Sequence, residues 1–151
     1  MEPGPLPEIT VFTCIYCGYT AVDMAGVTGI QYPANIKVVK LPCTGKLDLL
    51  YILKAFEQGA DGVMVVACQK GTCHHVEGNL RAEKRVQRAK ELLAKIGLGS
   101  ERLEMFFVTG SQGSAFAAAV EEMTRRVQEK GANPLKATCR ATTRSTPDGS
   151  P

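Results

Sequence analysis

Five of the six cysteines in this 151-residue chain fall where thiols could do chemistry. Cys14 and Cys17 form a C-x-x-C pair. Cys43 follows Pro42, and Cys68 and Cys73 bracket a four-residue loop that runs into His74 and His75. Thiolates are soft ligands suited to zinc or iron–sulfur groups, and an iron–sulfur cluster takes four of them. Five candidates supply four with one to spare. The Cys14–Cys17 spacing lets two sulfurs meet one metal, and Cys68 with Cys73 would make a second pair. Dithiol redox chemistry is a second reading, because a C-x-x-C between a strand and a helix is thioredoxin-like and a helix N-terminus lowers a thiol pKa. It leaves three cysteines unexplained. A zinc-stabilised docking module is a third, but such sites join two C-x-x-C knuckles, and only one strict pair exists here. His74 or His75 could replace a cysteine as ligand. Hydrogen bonding to a cluster sulfur, or simple loop filling, is the more economical role for them.

The surrounding pattern predicts what holds these thiols. Ile9–Cys14, Ile36–Leu41, Gly62–Cys68 and Leu103–Val108 are short, apolar and rich in β-branched residues, hence strands. Between them, Tyr19–Val27, Lys46–Gln58, Asn79–Ile96 and Ser114–Lys130 show apolar residues at helical spacing, each with a glycine at or near its end. Strict alternation of strand and helix with short joins predicts an α/β fold. The expected form is one small, doubly wound parallel sheet of about four strands, flavodoxin- or Rossmann-like, in the order 2-1-3-4. The continuous apolar run of the third strand suits a central position. On this layout all five cysteines lie at the carboxyl ends of strands, the edge where open α/β sheets bind ligands. Adjacent strands are ~4.8 Å apart, so thiols on neighbouring strand ends can converge. Purely structural cysteines would instead be scattered along strands and inward helix faces.

Composition sets the rest. With 44% apolar and 22% charged residues, the chain is of ordinary globular character. No apolar run approaches the ~18 residues of a membrane span, and MEPGPLPE has no signal-peptide pattern, so a cytoplasmic location is expected, with no membrane partner. A reducing compartment favours metal or redox roles for cysteines over disulfides. Residues 1–7 read as a disordered lead-in, 8–131 as the functional domain and 132–151 as a disordered tail. That tail carries Cys139, read as a spectator thiol, and two of the three net positive charges. The basic helix over Asn79–Ile96 reads as a solvated face or one for docking another chain. Few aromatics, no tryptophan and no recognised motif argue against nucleic acid. Thr109–Gly113 reads as a turn and helix cap.

Three runs then carry a resemblance: FTCIYCGYTAVDMAG, YPANIKVVKLPCTGKLD and FEQGADGVMVVACQKGTCHHVEGN. In combination they resemble the iron–sulfur D (delta) subunit family of methyl-viologen-reducing nickel–iron hydrogenase, from about Ile9 to Lys130. The resemblance implies a 2Fe–2S electron-transfer subunit without substrate chemistry of its own. It would pass electrons between a hydrogenase or formate dehydrogenase-type module and the flavin-bearing A subunit of a heterodisulfide reductase-like, electron-bifurcating complex. Cys14, Cys17, Cys43, Cys68 and Cys73 all match the family's cysteine positions, and Cys139 has no counterpart. Thr13 stands where a further cysteine is common, Gln69–Thr72 replaces a loop that usually holds proline and aspartate, and His75 replaces a usual tyrosine. Among the five, Cys14 and Cys68 are the foremost expected ligands, then Cys73 and Cys43, with Cys17 the expected spare. Loop amides around Gly71 and the hydroxyls of Thr44 and Thr72 are expected hydrogen-bond donors to the cluster.

Overall fold

The four apolar runs form strands with the expected bounds: β1 Ile9–Cys14, β2 Ile36–Leu41, β3 Gly62–Cys68 and β4 Leu103–Val108. In the computed structural model, which describes residues 6–73 and 75–136, they make one parallel sheet in the order β2-β1-β3-β4. The register pairs Val11 with Val38 and Phe12 with both Val39 and Val65. β3 is buried along its whole length, as its unbroken apolar run requires of a strand covered on both faces.

The helices are α1 Cys17–Val27, α2 Leu49–Glu57, α3 Gly78–Lys95 and α4 Gly113–Lys130, with short 3-10 turns at Thr44–Lys46 and Ser100–Arg102. α2 and α3 cover one face of the sheet, packing Phe56, Ile52, Val86 and Leu93 against Val63 and Val65. α1 and α4 cover the other, where Ala21, Ala25, Phe116 and Met123 meet Val11, Met64 and Val66. α3 and α4 each begin one residue before the expected start, and the other two helix starts differ by more. α2 begins at Leu49 instead of Lys46, because Asp48 Oδ1 accepts the Leu50 N–H at 3.0 Å and caps it there. α1 begins at Cys17 instead of Tyr19.

The packed domain also extends past residue 131. Asn133 is buried. Its Nδ2 donates to the carbonyls of Phe56 (2.9 Å) and Ala60 (2.7 Å), and its backbone N–H donates to Asp61 Oδ1 at 2.8 Å. Lys136 Nζ lies 3.0 Å from Asp61 Oδ2 and 3.2 Å from Glu8 Oε2. Residues 132–136 are therefore part of the fold and not of a tail, held by side-chain-to-backbone bonds that have no sequence period. At the other end, the Pro7 carbonyl accepts Asn35 Nδ2 at 2.6 Å. The expectations for residues 1–5, His74, Cys139 and the rest of 137–151 lie outside the described residues. No helix among the described residues is long and apolar enough to cross a membrane.

Candidate metal centre

β1 and β3 are neighbours in register, and each ends in a cysteine. Cys14 Sγ and Cys68 Sγ consequently stand 3.6 Å apart, both buried. The loop after β2 brings in Cys43, also buried, and the loop after β3 brings in half-buried Cys73. Cys17, half-buried, opens α1. No disulfide links these five; all are free. They form two neighbouring sets. Cys17 and Cys14 both act on Cys68, and Cys73 acts on Cys43, with the Cys14 charge felt at Cys43 as well. Among the described residues, no three metal-type side chains converge on a single point.

Backbone N–H groups meet these sulfurs. Gly18 N–H donates to Cys14 Sγ at 3.2 Å, in the first turn of α1. Gly45 N–H donates to Cys43 Sγ at 3.4 Å, so Cys43 caps the Thr44–Lys46 turn. The amides of Asn79, His75 and Gly78 point at Cys73, at the start of α3. Such donors, with the positive end of a helix dipole, favour thiolate over thiol. At Cys73 burial pushes the pKa up, but these amides outweigh it and hold the thiol below its ordinary value. Cys43 and Cys68 go the other way. Burial raises both; at Cys43 it outweighs the opposing Gly45 amide, and the Cys73 sulfur adds to the rise. At Cys68 the Cys17 and Cys14 sulfurs add further.

Three glycines make this crowding possible. A β-carbon on Gly78 would stand 2.2 Å from Cys43 Sγ and 3.3 Å from Cys73 Sγ. One on Gly45 would stand 2.9 Å from the Gly78 α-carbon, and one on Gly18 would collide with Thr13 Oγ1 and lie 2.8 Å from the Val66 carbonyl oxygen. Each glycine lies within five residues of a cysteine in sequence, which is the signal that could have singled them out. Sequence reasoning also missed two positioning side chains. Arg85 donates to the Gly45 and Leu47 carbonyls at 2.5 and 2.9 Å, tying the Cys43 loop to α3. Asn79 Nδ2 donates to the Cys68 carbonyl at 2.8 Å and the Gln69 carbonyl at 3.1 Å, fixing the end of β3.

The donor chemistry fits an iron–sulfur group. Soft sulfurs with amide donors suit metal-bound thiolates, and Thr44 Oγ1, fully buried beside Cys43, has no hydrogen-bond partner among the described residues. A buried hydroxyl without a partner is costly. Thr72 differs from expectation. Its hydroxyl is already used within the loop, donating to the Gln69 carbonyl at 2.8 Å. The Thr109–Gly113 segment behaves as a turn, closed by the Thr109 N–H on Gln112 Oε1 at 3.0 Å.

Residues 9–131 match the family model described as methyl-viologen-reducing hydrogenase, delta subunit. The chain belongs to that family. It is 51% identical over 131 residues to the iron-sulfur D subunit of the vhu F420-non-reducing hydrogenase of Methanocaldococcus jannaschii, covering 87% of this chain and 98% of the relative. To the iron-sulfur D subunit of the F420-non-reducing hydrogenase of Archaeoglobus profundus it is 38% identical over 125 residues, 83% of this chain and 91% of the relative. The delta-subunit sequence also recurs inside a longer protein. The A subunit of the Ferredoxin/F(420)H(2)-dependent CoB-CoM heterodisulfide reductase of Methanosarcina acetivorans is 34% identical over 125 residues, 83% of this chain but only 16% of that relative.

Proposed function

We propose that this delta-subunit homologue is a cytoplasmic 2Fe–2S electron-transfer protein. It would carry electrons between a hydrogenase or formate dehydrogenase-type module and the flavin-bearing A subunit of a heterodisulfide reductase-like, electron-bifurcating complex. The observation that carries the reading is the approach of Cys14 to Cys68 across adjacent strands, with Cys43 and Cys73 as the adjoining pair. Relatives named as hydrogenase iron-sulfur subunits and as the A subunit of heterodisulfide reductase support the partners.

In this reading Cys14, Cys68, Cys43 and Cys73 hold the cluster and Cys17 is the spare thiol. When bound, such a group supplies one-electron uptake and release with no bond made or broken in the protein. The chain's own part is to bring four sulfurs together, to meet Cys14, Cys43 and Cys73 with the Gly18, Gly45, Gly78 and Asn79 amides, and to keep bulk water off through the burial of Cys14, Cys43 and Cys68. Thr44 would donate its unpartnered hydroxyl to sulfur. A C-x-x-C dithiol exchange is less supported, because Cys14 is met by Cys68 across the sheet.

Anaerobic reconstitution, iron and sulfide assay, and EPR after reduction test this. The expected result is about two irons and two sulfides per chain, with the signal lost in Cys14→Ser, Cys43→Ser, Cys68→Ser and Cys73→Ser and kept in Cys17→Ser. A chain that stays iron-free with five free thiols after reconstitution would sink the reading.

A further inference from the structure

The cysteine edge carries apolar side chains that are partly open to water. Ile15 and Tyr16, just after β1, are 47% and 39% exposed; Val76 and Leu80, at the end of the β3 loop and the start of α3, are 77% and 38% exposed. The Tyr16 and His75 rings meet edge-on with centroids 5.9 Å apart, so the two loops present one surface. Val76 has φ +62°, the only non-glycine residue at positive φ among the described residues. A β-branched residue is strongly disfavoured there, and strain of this kind persists where a site needs it. Here it turns an apolar side chain out to water, which does nothing for folding.

Beside Val76 lies a depression of about 580 Å³ whose lining includes Cys43, Lys46, Gly78, Arg81 and Arg85. Two acids also line it, and both are engaged. Asp48 caps α2, and Glu77 pairs with Arg81 at 3.8 Å. Among the described residues Arg85 bonds carbonyls alone, which leaves its charge uncancelled, and Lys46 has no ion-pair partner. The depression therefore has a positive rim with apolar residues alongside and a thiol in its wall.

We propose that this surface, formed by Ile15, Tyr16, Val76 and Leu80 around the depression edged by Lys46 and Arg85, docks the flavin-bearing redox partner. The partner's complementary face is apolar at its centre and sets an acidic loop into the depression. The proposal rests on the electron-transfer reading, since an electron leaving the thiols crosses this surface. A second copy of the chain is the poorer occupant, because a two-fold contact through this patch would set Lys46 and Arg85 against their own equivalents.

The test uses the full chain, anaerobically reconstituted, and the flavin-bearing A subunit of the same organism, with affinity measured by calorimetry at several salt concentrations. Val76→Asp and Lys46→Glu are expected to weaken binding about ten-fold or more, with iron content and EPR signal unchanged. Lys46→Glu should also flatten the salt dependence. Lys37→Glu, on the exposed β2 edge, is the control and should bind as the native chain does. Native affinity in both patch variants, loss in the control alone, or no binding of the flavoprotein by an iron-loaded native chain overturns the docking surface and leaves the cluster reading standing. A self-association that Val76→Asp abolishes overturns it in favour of a second copy. A native chain without iron defeats the cluster reading itself.

Discussion

Gly78 presses so closely on Cys43 that a β-carbon at position 78 would stand 2.2 Å from the cysteine sulfur. Cys43 is itself buried, so the contact lies inside the fold and not at a free surface. Gly78→Ala is therefore expected to cut iron incorporation by more than half while leaving the far-UV circular dichroism intact, since alanine favours the helix that residue 78 opens. Gly26→Ala is the matched control. Nothing lies within 4 Å of a β-carbon there, and the change should stabilise the protein by about 0.5–1 kcal/mol without touching iron content. Equal iron in both variants would show that the glycine contact does not shape the site.

Gly18 is tighter still, but against the fold. A side chain there meets Thr13 Oγ1 and the Val66 carbonyl, 2.8 Å away. The backbone oxygen cannot swing aside, so Gly18→Ala should destabilise the chain by about 2–3 kcal/mol in urea unfolding. Adding Thr13→Ala should recover only part of this, because it clears the hydroxyl and leaves the carbonyl.

Asp61 ties the amino edge together. Burial pushes its carboxyl up, but the amides of Asn133 and Glu8 and the Lys136 ammonium outweigh that and hold its pKa below the ordinary carboxylate value. A carboxyl depressed on folding stabilises the protein fully above its unfolded pKa, and that stability is lost as pH falls through the folded one. Asp61→Asn should thus cost about 2 kcal/mol near neutral pH, with the gap from the native chain closing below about pH 4. A gap that stays constant from about pH 7 to pH 3 would exclude this linkage.

Arg102, 4% exposed, donates to four carbonyls: Leu98 at 2.9 Å, Asp61 at 3.0 Å, Gly131 at 2.9 Å and Ala132 at 3.3 Å. Its removal strands several of these acceptors. Arg102→Ala should lower unfolding stability by about 3–4 kcal/mol. Arg102→Lys should recover little, since one ammonium cannot reproduce the guanidinium fork. Near-complete rescue by lysine would mean that charge, and not geometry, is what matters there.

The sheet is legible in the sequence because its signals are local. β-branched apolar runs mark all four strands, and the uninterrupted run at Gly62–Cys68 marks the central one. That alone places Cys14 and Cys68 side by side. What is not legible is non-local. The Gly45–Gly78 contact joins two loops distant in sequence, and no periodicity encodes it. Asn133 reads as the start of a tail because its bonds run to carbonyls at a distant helix end. The start of α1 is obscured because Tyr16, which precedes it, offers no side-chain cap. Thr72 and Thr44 are indistinguishable as residue types, and only the fold shows that one hydroxyl is used and the other is not.

The contact between Glu8 and Lys136 bears on how this domain can be wired into larger proteins. Both ends of the packed region emerge together at the amino edge of the sheet, about 20 Å, a full strand length, from the thiols. A polypeptide can enter and leave there without crossing the cysteine edge. The same unit can then serve as a separate chain or as a small part of a longer one, as in the Methanosarcina relative, with the junctions at the edge away from the cysteines.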